Sequence, residues 1–204
     1  DYIDGKVARA RSRETAFGGF WDSVMDRFSD ITLFIGLIYL YTQAGSVRYG
    51  IITSLAMMFS VMTSYTRARA ESLIEKCKVG FLERPERIVL FMVGAFTNRM
   101  AAVMWVVLVL SIVTVLDRIY MTWRELKAGR SLTAVQAGLA PPPIPPTQPG
   151  VVQRALALPV TIVWRGLFWT YDRGSWQYDV MVLLILAFIG LTSPAWLGDP
   201  MAMQ

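Results

Sequence analysis

The sequence predicts an all-α fold, a polytopic membrane helix bundle whose first helices lie upstream of the displayed chain. Three observations carry this. Of 204 residues, 54% are hydrophobic and mean hydropathy is +0.44. Several apolar runs approach the roughly 20 residues needed to cross about 30 Å of hydrocarbon. The charges gather in short stretches between those runs, with 20 Lys and Arg against 15 Asp and Glu, for a formal +5. Such a pattern suits cytosolic loops and anionic lipid or phosphate ligands, with no nucleic-acid partner expected. A single Cys excludes an intrachain disulfide, and the absence of His leaves acid–base chemistry to carboxylates.

The elements follow in order. Residues 1–15 are polar and Arg-rich, as a helix end and turn at the cytosolic face should be. Residues 19–42 form one long helix, with Asp22, Asp26 and Asp30 in its polar first half and an apolar second half at 31–41. Bare carboxylates in lipid are too costly, so the polar half must face protein or a water-filled cavity. A link with Gly45, Ser46 and Arg48 leads to a helix over 49–65, ending in Arg67, Arg69 and Glu71. The apolar run 88–96 is too short to cross alone and needs 85–87 as a first turn and 97–100 at its far end. Residues 101–116 form a further span, prolonged by an amphipathic stretch over 117–127. The basic residues Arg118, Arg124, Lys127 and Arg130 place that end on the cytosolic side. Six prolines between 141 and 149 make a stiff extended linker over 131–150. Beyond it lie an interfacial segment over 151–169 and a last membrane helix over 180–197. The expected organisation is therefore a membrane domain over 1–130, the linker, and a hydrophobic tail over 151–204.

The first thirty residues carry the chemistry. Asp1 and Asp4 are three apart, and Asp22, Asp26 and Asp30 are four apart, so each set shares a helix face. Carboxylates converging from two helices can hold two divalent cations, because hard oxygen ligands suit magnesium or manganese and phosphates complete their spheres. Gly5 and Gly18 allow a phosphate, a nucleotide or a neighbouring helix to approach the backbone. The planar donor fork of Arg9 suits a diphosphate. The plainer alternative is a set of boundary charges capping helices; Asp30 in particular either supports the cluster or sits on ordinary helix surface. The chain has no initiator Met and starts on the first of these carboxylates. It is therefore expected to be an internal portion of a longer protein.

Taken together, Asp1, Asp4, Gly5, Ala8, Arg9, Gly18, Asp22 and Asp26 match all eight positions of a spaced signature. That signature runs Asp, two residues, Asp-Gly, two residues, Ala-Arg, eight residues, Gly, three residues, Asp, three residues, Asp. In this the chain resembles the CDP-alcohol phosphotransferase family over about residues 1–128. The resemblance implies a six-helix membrane enzyme, a homodimer, with a cytosol-facing pocket that holds a CDP-linked donor on two metals. By it, Asp1, Asp4 and Asp22 are metal ligands, and Asp26 is both ligand and general base. Asp4, Gly5, Ala8, Arg9 and Gly18 would border the donor's cytidine diphosphate.

A second cluster concerns the acceptor. Ser64, Tyr65, Arg67, Arg69 and Glu71 end one helix, and Glu83, Arg84, Pro85, Glu86 and Arg87 open the next. Both could line one mouth whose cations would attract a phosphorylated alcohol over a neutral one. Lipid-headgroup anchoring is the bland alternative, and Pro85 also suits a helix start. The order of these residues resembles the phosphatidylinositol phosphate synthase branch of the family. That implies CDP-diacylglycerol as donor and inositol 3-phosphate as acceptor, with Arg67 and Arg87 gripping the acceptor phosphate and Arg69 nearby. Arg67 stands where the branch commonly has lysine, so charge is kept but shape is not.

Rival readings remain open at this level. Within the family they are transfer to glycerol 3-phosphate or serine, an archaeal lipid donor, and a CDP-inositol donor. Outside it, intramembrane carboxylates also mark cation transporters. Here, however, the acidic residues concentrate near one face among arginines that oppose cation passage. A purely structural membrane protein would not need such regular spacing of Asp1 through Asp26.

Overall fold

The computed structural model describes residues 15–75, 77, 79–80, 84–133, 137 and 176–200. Six helices follow one another through them: α1 Ala16–Gln43, α2 Val47–Glu71, α3 Arg84–Thr97, α4 Met100–Lys127, α5 Trp176–Leu191 and α6 Pro194–Leu197. Asp1, Asp4, Gly5, Ala8 and Arg9, like the proline linker and the segment 151–169, lie outside the described residues.

Each boundary has a local cause. Thr15 caps α1, its hydroxyl accepting the Gly18 N–H at 3.0 Å. At the far end Gly45, with φ of 71°, reverses the chain into α2, a left-handed conformation that favours glycine. The apolar part of α2 reaches the expected 65, and the helix continues through Arg67 and Arg69 to end at Glu71, as the sequence places it. A charged end to an apolar run marks the edge of the apolar environment and not the end of the helix. α4 is one continuous 28-residue helix, about 42 Å long, that merges the expected span with its amphipathic extension. Glu125 closes its end by accepting Arg130 Nε and Nη2 at 2.6 and 2.9 Å. The tail helix expected over 180–197 instead stops at Leu191, and Pro194 opens a separate turn. Proline has no N–H and fits a first helical position, so it restarts a helix more readily than it continues one.

α4 is the central element, packing on α2, α3, α5 and α6, while α1 packs on α2. The buried face of α2 includes Thr53, Ala56, Ser60 and Thr63. Against it α4 buries Ala101, Met104, Val107, Ser111 and Thr114. Small residues at spacings of three and four let two helix backbones approach closely, the packing that membrane helices favour. Aromatic contacts hold α1 in place. Phe34 meets Phe91 of α3 edge to face at 5.3 Å, and Tyr41 stacks on Tyr49 of α2 at 5.2 Å. Among the described residues, α4 is the helix both long and apolar enough to cross a membrane.

The tail is bound into this bundle at the end marked by the α1–α2 turn and the α3–α4 corner. Arg99 at that corner donates to the Ile189 and Thr192 carbonyls at 3.0 and 2.5 Å, closing the C-terminus of α5. Asp199 reciprocates, its carboxylate accepting the Ala101 N–H at the start of α4 at 3.1 Å. Each charge sits at the helix end whose partial charge is opposite to its own. The Tyr49 hydroxyl adds a bond to the Leu197 carbonyl at 2.6 Å.

Candidate active site

At the other end of the bundle α1, α2, α3 and α4 enclose a polar cavity of about 420 Å³. Its wall holds five arginines, Arg27, Arg67, Arg84, Arg87 and Arg118, against the carboxylates Asp26, Asp30 and Glu71. The excess of guanidinium over carboxylate gives the cavity a net positive charge.

The four-residue spacing of α1 puts Asp26 and Asp30 on one face, and α3 answers with Arg84 and Arg87, three residues apart. Arg84 donates to Asp26 Oδ1 at 2.5 Å, reaches Asp30 Oδ1 at 3.4 Å and binds the Ser29 hydroxyl at 2.9 Å. Arg87 is almost fully buried and pairs with the other Asp30 oxygen. Its second terminal nitrogen lies 3.4 Å from the Thr63 hydroxyl of α2. The Arg87 Nε is buried with no acceptor among the described residues. A buried, unmatched donor in a cationic wall is suited to an anionic ligand.

Arg118 of α4 forms the floor. It is buried, donating to the Thr63 carbonyl and, through Nε at 2.9 Å, to the Val79 carbonyl. The loop that presents Val79 turns at Gly80, whose φ is +102° and where a Cβ would fall 2.3 Å from Thr114 Cγ2. Only glycine lets this loop lie against α4. Thr63 thus joins three helices, offering its hydroxyl to Arg87 and its carbonyl to Arg118.

The expected site residues separate under this geometry. Asp26, Arg67 and Arg87 line the cavity, with Arg67 paired to Glu71 at 3.1 Å on its own helix. Asp22 lies one turn before Asp26 and is exposed. Gly18 stands further back at the helix start, its N–H held by Thr15 and its Cβ position 3.0 Å from that hydroxyl. Arg69 faces a different cleft beside Tyr65, Leu73 and Trp123. Two residues apart on a helix means about 200° of rotation, so Arg67 and Arg69 cannot share a wall.

Three residues enter that sequence reasoning left without a role or undecided. Asp30 is an ion-pairing residue of the wall and not bare helix surface. Arg84 could have been read from its spacing, since it precedes Arg87 by three and shares its face. Arg118 continues the buried polar line Ser111, Thr114 at helical spacing, a signal hidden by its neighbourhood of interfacial basic residues.

Comparison with known proteins decides the family. A family model described as CDP-alcohol phosphatidyltransferase matches residues 1–131. The chain belongs to the CDP-alcohol phosphatidyltransferase family. Its similarity within this enzyme family runs to the phosphatidylinositol phosphate synthase branch. It is 42% identical over 134 residues to an archaetidylinositol phosphate synthase of Methanothermobacter thermautotrophicus, covering 62% of this chain and 66% of that protein. With a phosphatidylinositol phosphate synthase of Mycobacteroides abscessus it shares 35% identity over 128 residues, 59% of this chain and 58% of that protein. A synthase of the same name from Mycobacterium tuberculosis is 33% identical over 133 residues, 60% of this chain and 61% of its own. The chain therefore spans about two thirds or less of these relatives. No solved structure matches it. α5 and α6 lie beyond the matched region.

Among the described residues no group of three or more His, Cys, Asp or Glu is arranged to hold a metal ion. Asp22 and Asp26 are hard oxygen donors of the kind magnesium and manganese take, and Asp1 and Asp4 of the same signature lie outside the described residues. In donor chemistry the carboxylates fit such an ion.

Proposed function

We propose that the chain forms the catalytic part of a multi-pass cell-membrane enzyme. It would transfer a phosphatidyl group from CDP-diacylglycerol, or a related CDP-linked lipid, to inositol 3-phosphate with release of CMP. The observation that carries this reading is the arginine-rich cavity beside Asp26, with Arg87 buried in its wall. The bundle's flanks support membrane embedding: Phe20, Phe28 and Ile35 on α1 and Phe96 on α3 are exposed apolar side chains suited to hydrocarbon. The basic cavity then faces the cytoplasm, where positive charge accumulates, and a homodimer is the assembly proposed.

In this mechanism the phosphate of the acceptor enters the cavity and binds Arg67, Arg87 and Arg118. Arg69, turned to another cleft, is left to a peripheral role. An anchored phosphate holds the acceptor hydroxyl near Asp26 and converts a bimolecular encounter into an oriented attack. Asp26 takes the hydroxyl proton as the new oxygen–phosphorus bond forms at the β-phosphorus of the donor. The bond from that phosphorus to the bridging oxygen breaks, and CMP leaves with the electron pair. Arg84 holds Asp26 in position through their ion pair. Gly5, Ala8, Arg9 and Gly18 are proposed to border the cytidine diphosphate. Asp1, Asp4, Asp22 and Asp26 would hold two magnesium or manganese ions, which when bound neutralise charge on the transferring and leaving oxygens.

The deciding experiment measures metal-dependent CMP release from CDP-diacylglycerol by full-length protein, with inositol 3-phosphate, inositol and glycerol 3-phosphate in parallel. Turnover with inositol 3-phosphate is expected to exceed the other two. A preference for unphosphorylated inositol would defeat the role given to Arg67 and Arg87, and no CMP release with any acceptor would sink the transferase reading. The archaeal relative's name favours a second donor, so a CDP-linked archaeal lipid belongs in the same assay.

A further inference from the structure

Away from the polar cavity, a groove of about 590 Å³ runs between α4 and α5. This lies within the roughly 300–1,000 Å³ range of ligand sites. α5 is outside the family-matched region, so the groove forms where this chain's tail packs on the matched domain. Its walls are apolar, with Trp105 and Val109 from α4, Leu184 and Phe188 from α5, and Leu197 of α6. From Met181 to Phe188 the α5 wall measures about 10 Å along the helix axis.

One charged residue, Arg48 in the first turn of α2, lines this groove. Its place is the α6 end, because the adjacent Tyr49 bonds the Leu197 carbonyl. Arg48 is exposed, and among the described residues its guanidinium meets the Tyr49 ring, 5.7 Å to the centroid, and no carboxylate. The nearest acidic group of the tail, Asp199, is buried and already accepts the Ala101 N–H. An apolar slot about 10 Å long, roughly two thirds of a leaflet's hydrocarbon, with a cation at its mouth and an indole beside it, is complementary to a single-chain segment carrying a negative head.

We propose that this groove binds one acyl chain of an anionic phospholipid, with the lipid phosphate at Arg48. The bound chain packs between α4 and α5 and supplements the Arg99 and Asp199 bonds that hold the tail to the bundle. The inference rests on the bundle's being embedded in a bilayer, and it does not depend on which alcohol the enzyme phosphatidylates.

Trp105 is a built-in probe. Full-length protein would be reconstituted in phosphatidylcholine vesicles containing a minor fraction of dibrominated lipid, either phosphatidylglycerol or phosphatidylcholine. The fluorescence lost in Trp105→Phe isolates that indole among the seven. Brominated phosphatidylglycerol is expected to quench Trp105 at about fivefold lower mole fraction than brominated phosphatidylcholine. Arg48→Gln should abolish the difference, and Arg48→Lys should retain most of it. Equal quenching by the two lipids would overturn the proposal. So would a Trp105 shielded from both while other indoles are quenched, because a second copy or another helix then fills the groove. Quenching of no indole by either lipid would instead overturn the membrane reading on which the inference rests.

Discussion

Buried Arg87 of α3 and half-buried Asp30 of α1 form an ion pair, 57 residues apart in sequence, that joins the two helices at the wall of the polar cavity. The pair leaves Arg87 oriented with one nitrogen toward Thr63 and Nε unmatched. Asp30 thereby acts as a positioning residue for the arginine expected to meet the acceptor phosphate.

Removing either partner should separate these roles. Arg87→Ala is expected to destabilise the protein by about 2–3 kcal/mol, below the usual buried-pair loss because Arg84 still reaches Asp30. It should raise the acceptor KM by roughly a hundredfold. Asp30→Asn should raise KM about tenfold with little change in kcat. Thermal unfolding in detergent and CMP-release kinetics check both.

Arg67 and Arg69 should behave differently although they stand two residues apart. Arg67→Ala is expected to raise the acceptor KM about tenfold, since its head lines the cavity. Arg69→Ala should change KM less than about twofold, because its head lies in the cleft with Trp123. Equal effects in a titration of inositol 3-phosphate would show that the two share a site after all.

For Asp26, replacement by Asn preserves size and removes the base. CMP release is expected to fall by about 10²–10⁴-fold. Arg84→Ala removes the partner at 2.5 Å without touching the carboxylate. It should lower kcat by about tenfold, measured in single-turnover experiments. Wild-type turnover in the Asn variant would end the base assignment.

Gly80→Ala is expected to cost about 1–3 kcal/mol, from strained backbone together with the contact on Thr114. Thr114→Ser removes the clashing methyl and should recover part of that loss. The double variant is therefore predicted to be more stable than the sum of the singles, a non-additivity visible in thermal unfolding.

Cys77 lies fully buried in the loop beside Gly80, and burial pushes its thiol above the usual range. Less thiolate and no access together mean slow alkylation near neutral pH. Maleimide labelling should proceed only on unfolding, with a rate at least about a hundredfold faster in denaturant. Rapid labelling of folded protein would show that the loop opens.

Much of the architecture was legible because helix-forming runs carry their own periodicity and end at local punctuation. α1 and α4 fall close to their expected bounds, and Pro85 opens α3 as its chemistry dictates. The end of α2 was legible in the same way: its apolar run stops near Tyr65, and Arg67, Arg69 and Glu71 form the polar last turns that close the helix at Glu71. The break at Ser193 and Pro194 was visible as residues yet overridden by the apolar run around it. In the site, Asp26 was named by the family signature and Arg67 and Arg87 by the resemblance to the phosphatidylinositol phosphate synthase branch, and the three line one cavity. Arg84 and Arg118 stayed unassigned because a basic residue at a helix end has the same sequence signature whether it meets a headgroup or a buried carbonyl.

By itself the sequence determined the helices, the eight-position signature that identifies the family, and a local excess of arginine near one end of the bundle. All of these are set by composition and by spacing along one chain. Tertiary structure alone decided which arginine meets which carboxylate, that Asp30 is structural to the site, that Arg69 turns away, and that α5 lies along α4 to form an apolar groove. The physical reason is rotational. Spacing states which residues share a helix face, whereas the direction of that face follows from how neighbouring helices pack, here through the small residues of α2 against α4 and through a glycine that brings a loop carbonyl to Arg118.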